Sequence, residues 1–180
     1  MTDRKHPEPE LSRPIQLRHI DARPVLVKPA EAERKALATR FGIPSIPALI
    51  AEIALHRDGD KVRALGTMQA DIVQSCAVSG EDFPVPISED ITLVFVPASK
   101  ASPADDDQPI EIELEREELD EIEYEGDTID IGEAVAQTLS LAIDPYAEGP
   151  KADAVRKKAG LIEEGSRGPL AHMLEALKKD

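Results

Sequence analysis

The sequence predicts an α+β fold: a twisted antiparallel sheet or partly closed β-barrel with two packed helices and a flexible C-terminal tail ending in a short helix. Three observations carry this. From Ile46 to Phe95, apolar and polar residues alternate at a period of two over three runs separated by turn residues. Two stretches, one from Pro29 to Phe41 and one after Asp130, repeat apolar residues at helical spacing. Beyond Pro150 the composition shifts to Lys, Ala and Gly with no long apolar run. Partial closure into a barrel is the alternative to an open sheet, favoured by the long strands because it removes exposed sheet edges.

In chain order, residues 1–10 are polar and Pro-containing and read as a disordered arm. Ile15, Leu17 and His19 alternate with Gln16 and Arg18 as a short strand, and Arg23–Lys28 leads on from it. Pro29 suits a first helical turn. Ala30, Leu37, Ala38 and Phe41 follow at helical spacing, with Glu31 and Glu33 early and Arg40 late, as the helix dipole favours. Gly42 is the natural stop. Leu49, Ala51, Ile53 and Leu55 then share one strand face, Asp58-Gly59 signals a hairpin, and Val62 to Ile72 alternate along its second strand.

Gly66 in mid-strand predicts a bulge or a close backbone approach, and the pair Ile72-Val73 predicts a second bulge. Ser79–Asp82 turns the chain again. Pro84 and Pro86 keep the next segment extended or at a sheet edge, and Ile87, Ile91, Leu93 and Phe95 complete a meander. Ile110, Ile112 and Leu114, spaced by Glu, read as an edge strand with an acidic outer face or as the start of an exposed ribbon. Glu117–Glu125 is compatible with helix or strand. Asp130 is a helix cap with Glu133 as its capping-box partner, and Pro145 ends that helix. The domain is expected over 11–150. A flexible tail follows over 151–180, with an amphipathic helix over 169–178 carrying Leu170, Met173, Leu174 and Leu177.

Charge excludes several functions. The chain of 180 residues carries a net −15, and aromatics are only 3% with no Trp, so aliphatic side chains must fill the core and base stacking is disfavoured. From Asp105 to Glu148 lie 17 of the 36 acids but only one of the 21 bases, Arg116. Bulk attraction to nucleic acid or anionic lipid is therefore not expected, whereas a basic protein partner fits. The N-terminal stretch lacks a signal-peptide core and no run is long enough for a membrane span, which predicts a cytoplasmic protein without membrane association.

Chemistry-bearing residues are sparse. Cys76 is the only cysteine, so no internal disulfide is available, and the four His residues are scattered. A nucleophilic Cys needs an adjacent base, and a zinc site needs about four ligands. Neither pattern is present. Cys76 is read as a small buried hydrophobe, and no metal or cofactor is expected. Asp105, Asp106 and Asp107 lack the spacing of a calcium loop, and no phosphate-binding loop or nucleophile elbow occurs. The protein is expected not to be an enzyme. Asp105–Asp107 with Glu111, Glu113 and Glu115 form the candidate surface for a basic partner. Arg34, Lys35, Arg63, Arg156, Lys157 and Lys158 are the candidates for local RNA contact.

Several segments resemble the bacterial large ribosomal RNA subunit accumulation protein family, YceD. These are Gly59–Arg63, Val73–Ser79 with Cys76, and Asp130–Val135 with Glu133, running on through Leu141–Tyr146. Glu33–Ile43 and Pro169–Leu174 are similar to the form found in one bacterial branch. The resemblance spans roughly Leu11–Pro150 plus the terminal helix, and rests on order and spacing. It implies a non-enzymatic ribosome-biogenesis factor supporting accumulation, processing or stability of 23S rRNA, acting on a ribosomal protein or pre-ribosomal particle. Direct rRNA binding is the alternative, and a nuclease the least favoured reading. Relatives often carry a second Cys three positions after the first. Here that position is Ser79, so a metal or redox role does not carry over.

Overall fold

The computed structural model describes residues 9–98 and 121–161. In chain order these form β1 (Pro14–Gln16), a 3-10 turn (Leu17–His19), β2 (Val25–Val27), α1 (Glu31–Phe41), β3 (Ser45–Asp58) and β4 (Lys61–Ser75). There follow β5 (Asp82–Pro97), β6 (Glu121–Tyr124), β7 (Thr128–Asp130), α2 (Ile131–Ala142) and α3 (Ala152–Lys158). The predicted edge strand at Ile110–Leu114, the helix at 169–178 and the six acids from Asp105 to Glu115 lie outside the described residues.

The α+β prediction holds. A five-stranded sheet runs β2-β3-β4-β5-β6, and a separate two-stranded sheet pairs β1 with β7. The larger sheet stays open, with β2 and β6 at its edges among the described residues, so of the two forms the sequence allows it takes the open sheet and not the barrel. Nor is the sheet wholly antiparallel: β6 pairs parallel to β5, with Val94 opposite Glu121. A parallel neighbour requires a crossover connection, and nothing within the four residues of β6 encodes strand direction.

The chain divides into two compact units. One takes in Pro84–Asp144 and the chain up to Val73; the other takes in Gln74–Phe83 and the chain from Pro145. In the first unit, one face of the long strands is apolar and buried. Ile53, Val62, Met68, Ile72 and Phe95 join Leu37 of α1 and Val135 and Leu139 of α2 in one core. The period of two in the sequence is the period of this burial: along β4 every even position from Val62 is buried or half-buried. The opposite face of the sheet carries most of the polar positions, with Leu26, Ile50 and Leu65 exposed among them.

Local chemistry sets the element ends. Gly42 takes φ +68° after α1, a conformation that penalises a Cβ. Glu33 accepts the Ala30 N–H at 2.7 Å, covering one orphan donor at the start of that helix. β3 and β4 meet at a two-residue link, Asp58 opposite Lys61. Gly66 faces Ile53 across the ladder, and a Cβ there would lie 2.0 Å from the Glu52 carbonyl oxygen, so the predicted close approach is real.

The bulge predicted at Ile72-Val73 lies on the partner strand. Between Ser45 and Ala48 three steps of β3 face two steps of β4, and Pro47 sits in the irregularity. Pro84 and Pro86 fall within β5; two residues apart, they turn the same strand edge, and β6 pairs only with Val94–Pro97. The strand expected over Ile15–His19 stops at Gln16, where Leu17–His19 tightens into the 3-10 turn. The second unit carries α3, inside the stretch expected to be flexible. Among the described residues no helix is long and apolar enough to cross a membrane.

Candidate functional site

Asp130 is the last residue of β7 and the N-cap of α2. Its Oδ1 accepts N–H groups from Gly132 at 2.9 Å and Glu133 at 3.2 Å, capping the helix as expected. The same oxygen accepts the Arg13 N–H at 2.7 Å, and Oδ2 accepts the Ser12 hydroxyl at 2.6 Å. Pro14 pairs with Asp130 in the two-stranded sheet, and the Ile131 N–H donates to the Arg13 carbonyl at 3.2 Å. One carboxylate therefore joins the N-terminal strand, β7 and α2. Gly132 permits the approach: a Cβ there would lie 2.8 Å from both the Arg13 nitrogen and the Leu11 carbonyl oxygen.

Glu133 does not close the expected capping box. Its carboxylate takes two hydrogen bonds from Arg40, at 2.7 and 2.9 Å, and Arg40 also donates to Glu10 at 3.0 Å. Arg40 holds the Glu133 carboxyl below the usual range. A second two-bond pair joins Arg13 to Glu33 at 2.7 and 2.9 Å. The Arg13 guanidinium, helped by the Ala30 N–H, pulls Glu33 down to about 2. Both carboxylates are ionised at neutral pH and committed to arginine, so this network clamps helices to the N-terminal segment and offers no proton to a reaction. Sequence reasoning found Asp130 as a cap. It missed the pairs because their partners lie 20 and 93 positions apart in sequence.

The basic candidates are scattered. Arg34 donates to the carbonyls of Ile46 at 3.0 Å and Pro29 at 2.8 Å, fastening α1 to the start of β3. Lys35 is exposed beside it, on a shallow groove with Ile43, Pro44 and Pro47. Arg63 is exposed on β4, opposite His56, at a position alternate to the buried residues and so on the face turned away from the core. In the second unit Arg156 pairs with Glu148 and Asp153 at the end of α3, beside exposed Lys157 and Lys158.

Cys76 sits in the second unit, in the turn between β4 and β5. Its N–H donates to Glu81 O at 2.9 Å, the Gly80 N–H donates back to its carbonyl at 2.9 Å, and the Ala77 N–H reaches Ala147 O at 3.0 Å. The sulfur accepts N–H groups from Val78 at 3.4 Å and Ser79 at 3.3 Å. The side chain and N–H of Ser79, with the Gly149 and Val78 N–H groups, bring the thiol down to about 7. Cys76 is only 3% exposed, and no His is described in this unit. The donors stabilise a thiolate but supply no base for nucleophilic work.

Among the described residues no group of three or more His, Cys, Asp or Glu is placed to hold a metal ion. No curated protein and no solved structure matches the chain. The family model for the large ribosomal RNA subunit accumulation protein YceD matches residues 64–166, more than half of the sequence, from near the start of β4 through the Cys76 turn, α2 and α3. The chain belongs to the YceD family, whose name assigns it a role in accumulation of large-subunit ribosomal RNA.

Proposed function

We propose that this protein is a non-enzymatic, cytoplasmic ribosome-biogenesis factor that supports accumulation, processing or stability of 23S rRNA by holding a basic ribosomal protein. The observation that carries the reading is charge segregation: 17 of 36 acids fall between Asp105 and Glu148 against a single base. The contact surface is Asp105, Asp106 and Asp107 with Glu111, Glu113 and Glu115. Opposite charge steers such an encounter and fixes its partner class. Direct RNA contact is the weaker reading because Arg34 and Arg156 already serve intramolecular partners and Arg63 lies on the face away from α1.

Affinity capture from cells, with and without RNase, tests the reading. Ribosomal proteins retained after RNase are the expected result; their complete loss favours RNA contact. In a purified pair, neutralising the six acids together (Asp→Asn, Glu→Gln) is expected to weaken binding roughly tenfold or more and to flatten its salt dependence. Unchanged affinity for every basic ribosomal protein tried would sink the acidic-surface reading.

A further inference from the structure

We infer that the groove between the end of α2 and the middle of β5 is a second docking site, which takes an aliphatic side chain from a cationic segment of the partner. This rests on the reading that the partner is a basic protein, and adds a described, apolar surface to it. The groove lies within the first unit, holds about 270 Å³, and Glu89, Asp90, Leu93, Thr138, Leu141 and Ala142 are among its lining residues.

Two features set this groove apart. α2 is apolar and buried along most of its length, yet Leu141 in its last turn is 88% exposed, more than any other large apolar side chain described. On β5, Ile87 and Ile91 are buried, while Glu89 between them is exposed. A carboxylate at a core-facing position must reach water or a counter-charge, so the core stays uncovered here. Neither Glu89 nor Asp90 makes an ion pair among the described residues. The Thr138 hydroxyl donates to the Ala134 carbonyl at 3.0 Å and so is already partnered within its own helix. An apolar floor beside two unpaired carboxylates is complementary to an aliphatic anchor flanked by Lys or Arg, and disfavours an acidic or wholly polar segment. The net charge of −15 adds to that selection at long range.

The test is fluorescence anisotropy at low salt on the full-length protein. The probe is a labelled lysine-rich peptide with leucines on one helical face, compared with the same peptide carrying serines for leucines. Leu141→Glu is expected to weaken binding of the leucine peptide roughly tenfold, and Glu89→Gln with Asp90→Asn roughly threefold with a shallower salt dependence. The serine peptide is expected to ignore Leu141→Glu. Because Leu141 is exposed, Leu141→Glu should leave the thermal melt unchanged; if it lowers the melt, Leu141→Ser in its place gives the same reading. Equal binding of the leucine peptide to wild type and the Leu141 variants overturns the groove. If the six-acid variant then abolishes binding, the basic-partner reading survives without it, and if wild type binds neither peptide, both readings fall. Met173→Glu with Leu174→Glu is expected to change nothing; higher probe affinity in that variant would make the chain's own C-terminal segment the occupant and overturn a partner role.

Discussion

Asp130 and Cys76 each collect several hydrogen-bond donors, but they draw them from different distances. Asp130 takes donors from residues 12 and 13 as well as from its own helix. Cys76 takes hydrogen bonds to its sulfur from Val78 and Ser79, two and three positions on, with the Gly149 N–H adding one from farther along the chain. The first arrangement joins segments that only the fold brings together, so breaking it should cost global stability. The second is mostly a property of one turn, so breaking it should change the sulfur more than the fold.

Replacing Asp130 with Ala gives the largest expected effect. It removes the α2 cap and strands the Ser12 hydroxyl and the Arg13 N–H, a loss of about 3 kcal/mol when capping and unsatisfied donors are combined. Urea unfolding measures it. Asp130→Asn keeps an acceptor for the cap and should recover about half of the loss. A cost for Asp130→Ala below about 1 kcal/mol would mean that the three segments hold together without the carboxylate.

Gly132→Ala comes next, and opposes two effects. Alanine raises helix propensity by about 1 kcal/mol. Its Cβ would meet backbone atoms of Leu11 and Arg13 at 2.8 Å, where no flexible side chain can yield. The clash should win, with a net loss of about 1–2 kcal/mol by the same unfolding measurement. A stabilised variant would show that the N-terminal strand gives way, and would sharpen the contrast by locating the anchor in the Asp130 hydrogen bonds alone.

What the sequence made legible follows the same division between near and far. The β3–β4 hairpin, the Gly42 stop, the Asp130 cap and the Gly66 approach each follow from a residue and its neighbours in one element. The parallel entry of β6, the separate β1–β7 sheet and the Arg13–Glu33 and Arg40–Glu133 pairs depend on chain segments meeting across the fold. Position along the chain carries no signal of those meetings. Glu133 shows the difference within one side chain. Its spacing from Asp130 satisfied the capping-box pattern, but a guanidinium within reach outcompeted a backbone N–H for the carboxylate. The Cys76 turn was legible as a turn, but its donors were not, because only the folded backbone aims the Val78 and Ser79 N–H groups at the sulfur.

The smallest expected effect on stability, and the sharpest on chemistry, is at Cys76. With a single cysteine in the chain, ultraviolet thiolate absorbance follows this group alone. Its midpoint is expected near 7, below the ordinary thiol value, because Ser79 and neighbouring N–H groups favour the charged form. The sign follows: folding lowers this pKa, so the thiolate's contribution to stability is complete above the ordinary pKa and is lost as pH falls through about 7. Cys76→Ala should therefore cost more at pH 9 than at pH 6 by urea unfolding. Ser79→Ala removes the leading donor and should raise the midpoint while leaving urea unfolding at pH 6 nearly unchanged. A wild-type midpoint in the ordinary thiol range would mean the sulfur is held by packing instead, and Cys76 would then differ from Asp130 in kind as well as in reach.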